Sequence, residues 1–179
     1  MDKALLDAFR ATEYLVCLDE LEVAPAHPAP ALRVPPLGAP ATLAHPWAAV
    51  APARPAPATL AHPWAAWASI RIDQRLPEPL QLLVGAHSWG FITAWNPRSQ
   101  AQALADNLAA QHALLAALRA WPEAAIHPAI GVGPDWREPS LFVIGPDLQT
   151  LDALGHRHQQ NAYVHGHGNT VACLRLLRP

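Results

Sequence analysis

Charge, cysteine and long apolar runs are all scarce in this chain. Charged residues make up 15% of its 179 residues and the net charge is −2, against about 25% charged residues in an ordinary soluble domain. Proteins that grip nucleic acid usually present a basic face; here the arginines are scattered, so no nucleic-acid partner is expected. No window approaches the roughly 18 consecutive apolar residues of a membrane helix. The opening Met1-Asp2-Lys3 leads into no apolar signal segment. No membrane association is expected, and a cytoplasmic location follows as the default.

The two cysteines, Cys17 and Cys173, fall in predicted strands without metal-type spacing and read as buried free thiols. A nucleophile elbow, a phosphate-cradling glycine loop and a zinc-protease helix are all missing. Gly131-Val132-Gly133-Pro134 is too short for a phosphate loop and reads as a turn. No cofactor is implied.

What is abundant is alanine and proline. Residues 24–66 hold eleven prolines and sixteen alanines, with Arg33 and Arg54 as the only full charges. Proline removes backbone donors and biases its predecessor away from the helix, so this stretch is expected to be polyproline-like or disordered. Residues 39–49 recur verbatim at 56–66, a tandem duplication within a surface insertion. The paired His-Pro-Trp copies, at Trp47 and Trp64, could also serve as a bivalent docking motif for a protein partner.

The rest reads as a single α+β domain spanning residues 1–179 around that insertion. Leu5, Leu6 and Phe9 mark an amphipathic helix over 2–12. Strands are expected at 14–18, 68–73, 89–95, 125–130 and 140–144, with a helical turn near Pro79. Ser99 and Gln102 suggest a capping box opening a helix that Pro122 stops, with Leu104, Leu108, Leu115 and Leu118 as its buried stripe. Asp147 can cap a helix that carries Leu148, Leu151 and Leu154 inward. A hairpin over 161–165 and 170–176 closes the chain. The sum is six or seven strands in a mostly antiparallel sheet, with three or four helices.

Polar residues gather where these elements end. The first group is Thr93, Trp95, Asn96, Arg98 and Ser99, with Asn107 two turns into the following helix. Free N–H groups at a helix N-terminus, plus the Arg98 cation, could hold a carboxylate or phosphate. The alternative is that Asn96 and Ser99 only cap the turn. The second is Asp135, Trp136, Glu138 and Ser140, at the entry of a strongly apolar strand. Glu138 could act as acid or base, or pair with Arg98 or Arg10 in a structural salt bridge. The third is Gln160 and Asn161, where a helix gives way to a strand; Asn161 could equally end that helix in left-handed backbone. A weak metal alternative joins His156, His165 and His167, with His158 nearby.

Phe91-Ile92-Thr93-Ala94-Trp95-Asn96-Pro97, Asp135-Trp136-Arg137-Glu138-Pro139-Ser140-Leu141 and Gly155 through Gln160-Asn161-Ala162 occur in this order. With the opening Phe9-Arg10-Ala11-Thr12-Glu13-Tyr14, they make the chain resemble a family of uncharacterised bacterial proteins, domain-of-unknown-function family 3293. The resemblance covers residues 5–20 and 67–176 and implies no activity. Two departures stand out. A short connection between the first two strands is replaced by the Pro/Ala insertion, which costs little because loop-closure entropy grows only logarithmically. The basic and aromatic character expected near 155–160 is replaced by His156-Arg157-His158.

The leading expectation is a small domain binding a small polar or anionic ligand at the strand–helix junction, walled by Trp95 and Trp136. One rival is an enzyme with Glu138 as acid/base and Arg98 as anion stabiliser. The other is a protein–protein interaction module.

Overall fold

Side-chain alternation along the strands sorts the apolar residues onto two faces of one sheet. The computed structural model describes residues 3–18, 67–134 and 136–178. The Pro/Ala segment with its duplicated copies, and Asp135, lie outside the described residues.

The elements run α1 (Lys3–Ala11), β1 (Glu13–Cys17), β2 (Trp67–Ile70), α2 (Glu78–Val84), β3 (Ser88–Ile92), a single 3-10 turn (Pro97–Ser99), α3 (Leu104–Arg119), β4 (Ala125–Val132), β5 (Arg137–Ile144), α4 (Leu148–Arg157), β6 (Ala162–His167) and β7 (Cys173–Leu176). The seven strands form one sheet in the order β2-β1-β4-β5-β3-β6-β7. Every neighbouring pair is antiparallel. The fold is α+β.

The sheet is strongly curled. Two strands separate β1 from β3, so in a flat sheet their side chains would stand about 14 Å apart. Instead the rings of Tyr14 and Phe91 meet edge-on with centroids 5.0 Å apart. At the sheet's two edges, the chain beyond β2 reaches the chain before β7. Arg75 bridges Val171, and Asp73 N–H and Ala172 N–H donate to Ala172 and Gln74 carbonyls, both at 2.8 Å.

The concave face buries Tyr14, Val16, Trp89, Phe91, Phe142 and Val164, with Leu80 and Val84 of α2 in the same cluster. The convex face buries Ile92, Leu141, Val143 and Tyr163 against Leu114 and Leu118 of α3 and Leu151 and Leu154 of α4. In β5, Phe142 and Ile144 therefore point inward and Leu141 and Val143 outward. By the same alternation Glu138 and Ser140 point inward.

Several expectations need correcting. Leu104 is 65% exposed, and the buried positions of α3 are Asn107, Gln111, Leu114 and Leu118. The helix begins five residues after Ser99, at Leu104, with Ala103 before it and no side-chain cap; the expected capping box does not form. Leu148 is exposed rather than inward. Cys17 and Cys173 are half-buried rather than fully buried. Asp147 does cap α4, accepting from Thr150 N–H at 2.8 Å.

Candidate functional site

At the Glu138 end of the concave face the apolar filling gives way to polar groups. A cleft there holds a cavity of about 40 Å³, lined by Thr93, Asn96, Ser99, Trp136, Glu138, Ser140 and Gln160 among others. Phe9, Tyr14 and Phe91 line it as well. Such a volume admits a few water-sized groups.

The exit from β3 shapes one wall. After Ile92 the chain leaves the sheet, and its freed backbone groups are taken up by side chains of α3. Ala94 N–H donates to Oε1 of Gln111 at 2.9 Å and Asn96 N–H to Oδ1 of Asn107 at 2.8 Å. This is why two polar residues occupy the buried stripe of α3: each satisfies a backbone donor that would otherwise be orphaned. Thr93 donates from Oγ1 to the Pro139 carbonyl at 2.7 Å and accepts from Trp95 N–H.

Asn96 is the centre of the turn. Its backbone is left-handed, at φ 45°, a conformation Asn tolerates better than other residues with side chains. Its Oδ1 accepts from Gln102 N–H and from Asn107 Nδ2, and its Nδ2 donates to Oε1 of Glu138 at 2.9 Å. Left-handed backbone continues at Arg98 and Ser99, with φ of 60° and 57°.

The facing wall comes from the end of α4. Gln159 N–H bonds the His156 carbonyl and Gln160 N–H the Gly155 carbonyl, while Gln159 itself sits at φ 54°. This is a Schellman ending, so the left-handed residue is Gln159 rather than Asn161. Three bonds sew the walls together. Arg98 N–H donates to the Gln159 carbonyl, Gln160 Nε2 to the Trp95 carbonyl, and Asn161 Nδ2 to Ser99 Oγ, between 2.9 and 3.1 Å.

Among the described residues, four of the five non-glycine residues with left-handed backbone are Asn96, Arg98, Ser99 and Gln159. Strained backbone of this kind persists where surrounding contacts over-determine it, and it clusters at ligand sites.

Glu138 supplies the cleft's carboxylate. Burial pushes its pKa up from 4.5, and the Asn96 hydrogen bond opposes this. The expected salt bridge is missing: among the described residues Glu138 pairs with no cation, and neither Arg98 nor Arg10 is in an ion pair. Burial and the nearby Glu138 charge both raise the pKa of Tyr14, whose hydroxyl donates to the Phe9 carbonyl at 2.8 Å. Trp136 packs against Gly131 and Gly133, where a Cβ on Gly133 would overlap the indole nitrogen.

The three sequence motifs thus converge, in different roles. Thr93, Asn96, Ser99, Trp136, Glu138 and Gln160 line the cleft. Asn107 and Asn161 brace it from behind. Trp95 contributes its backbone and does not wall the cleft, and the Arg98 side chain is exposed. Sequence reasoning missed Tyr14 and Gln111. Tyr14 alternates with Val16 on an inward face, and Gln111 stands one turn after Asn107 in line with Leu114.

His165 and His167 share a strand face, as expected. His165 packs beside the Tyr163 ring, and His167 contacts Ser88 Oγ at 3.2 Å. His156 is exposed at the end of α4 and His158 half-buried just beyond it. Among the described residues no three of His, Cys, Asp or Glu come together as a metal-ligand set. Among them, too, no helix is long and apolar enough to cross a membrane.

The segment that builds the cleft also carries the family pattern. A family model described as "Protein of unknown function (DUF3293)" matches residues 92–163, which run from the exit of β3 through α3, β4, β5 and α4 into β6. The resemblance read from the motifs is thereby shown over the part of the chain that holds Asn96, Glu138 and Gln160. No curated protein and no solved structure matches the chain.

Proposed function

We propose that this domain binds a small polar ligand in the cleft, with Glu138 as the group that recognises it. One observation carries the reading: among the described residues the Glu138 carboxylate lines the cleft with one oxygen unengaged, while several of the donors around it, though not the Ser99 hydroxyl or the Trp136 indole N–H, are committed elsewhere. Thr93 donates to the Pro139 carbonyl, Tyr14 to the Phe9 carbonyl, Ser140 to the Glu138 carbonyl, and Gln160 to the Trp95 and His158 carbonyls. Glu138 accepts from Asn96 through Oε1, and among the described residues nothing donates to Oε2. A ligand that donates hydrogen bonds therefore fits this cleft better than an anion, which only accepts. A cytoplasmic location and a bacterial source belong to this reading as expectations.

Thermal-shift assays with small amides, alcohols, amines and carboxylates test it. Donor ligands are expected to raise the melting temperature of the parent and not of Glu138→Ala. Equal shifts in both proteins, or stabilisation by carboxylates alone, would contradict it.

A second reading, an enzyme with Glu138 as acid/base, draws support from burial, which raises the Glu138 pKa above its ordinary value, as the environments of many catalytic acids do. The Arg98 part of that mechanism has no contact behind it.

A further inference from the structure

We infer that the group recognised in this cleft is a small organic cation of the ammonium type, a conclusion that rests on the cleft being a ligand site.

The charge balance comes first. Among the described residues the cavity is lined by one carboxylate, Glu138, and by no Arg, Lys or His. A carboxylate facing a concave, partly dry space without a cation is an unmet demand for positive charge. The structural partners that would normally meet it, Arg10 and Arg98, are exposed at the surface instead.

The lining chemistry comes second. Phe9, Tyr14, Phe91 and Trp136 all border the cavity. Aromatic rings attract cations through their negative faces, most strongly for Trp, and rings combined with a carboxylate are how quaternary and methylated ammonium groups are recognised. Trp136 is the largest of these rings. It is only half-buried, and the missing side chains of Gly131 and Gly133 leave room for its indole. A neutral donor such as an amide would satisfy Glu138 Oε2 but would leave the carboxylate charge unbalanced.

Size sets the third limit. A cavity of about 40 Å³ takes an ammonium or methylammonium head, whereas a whole drug-sized molecule needs about 300 Å³ or more. The rest of a larger ligand would extend past the exposed Ser99 into solvent.

The test is an NMR titration of the full chain with methylammonium chloride, acetamide and sodium acetate, following the indole N–H of Trp136 and the amide of Gly131. Saturable shifts are expected with methylammonium, weakened at least tenfold in Glu138→Gln and in Trp136→Leu, with the amide spectrum confirming that each variant is folded. Acetamide binding as tightly as methylammonium, or binding that survives in Glu138→Gln, would overturn the cation assignment while leaving a polar-ligand site standing. If none of the three probes moves these resonances, both the assignment and the underlying site reading fail.

Discussion

Asn96 donates from its side chain to Glu138 across 2.9 Å, joining residues that leave β3 and enter β5 at the mouth of the concave face. The same Asn96 turns the chain through left-handed backbone and accepts from Gln102 and Asn107. One residue thus fixes the strand exit, the entry to α3 and the position of the carboxylate.

Replacing this hub should be costly. Asn96→Ala strands Asn107 and Glu138 and forces a Cβ-bearing residue without a compensating polar group to keep φ at 45°. About 2–4 kcal/mol of stability should be lost. Asn96→Gly keeps the backbone conformation and should lose less. Urea denaturation reads both, and a loss below about 0.5 kcal/mol for the alanine variant would contradict the assigned role.

The buried stripe of α3 gives a paired test. Asn107→Leu removes the acceptor for Asn96 N–H and should cost about 1–3 kcal/mol despite adding apolar surface. Leu104→Ser, at a position 65% exposed, should change stability by less than about 0.5 kcal/mol. The opposite ranking in equilibrium unfolding would restore the leucine stripe.

Gln159 offers a stabilising change. It closes α4 with φ at 54°, and glycine adopts that conformation without penalty. The bond it makes to Arg98 uses its backbone carbonyl and survives substitution. Gln159→Gly should therefore raise stability by about 0.5–1 kcal/mol; a decrease would mean that the Gln159 side chain matters.

The pH dependence has a definite sign. Burial raises the Glu138 pKa above 4.5, so the native chain keeps that proton to a higher pH than the unfolded chain. The resulting stability is full below the unfolded value and is lost as pH rises through the folded one. Glu138→Gln cannot ionise, so its stability relative to the parent should climb as pH rises above 4.5 and through the raised folded value. Asp152 runs the other way. Its bonds from Arg175 lower its pKa below 3.8, and its contribution disappears as pH falls through that lowered value. Denaturation midpoints measured across this range for the parent and for Glu138→Gln check the first limb.

Much of the architecture was legible because it rests on local patterns. Alternation gave the strands, Asp147 gave the start of α4, and the final hairpin paired as its turn residues suggested. The site was legible as three polar motifs at element ends. What stayed hidden depends on contacts distant in sequence. The apolar periodicity placed Leu118 and, in part, Leu115 correctly but misled at Leu104, because the buried face at that end of α3 is set by the bonds of Asn107 and Gln111 to the β3 exit. Ser99 with Gln102 resembled a cap, yet Ser99 serves Asn161. The curl that brings Tyr14 to Phe91 is a property of the whole sheet and leaves no local signature.

The most direct test of the account is the titration of the Glu138 side-chain carboxyl by carbon-13 NMR, with and without methylammonium. The account predicts a pKa above 4.5 in the free protein, where burial dominates, and a fall when the cation occupies the cleft. An ordinary value that the cation leaves unmoved would contradict it.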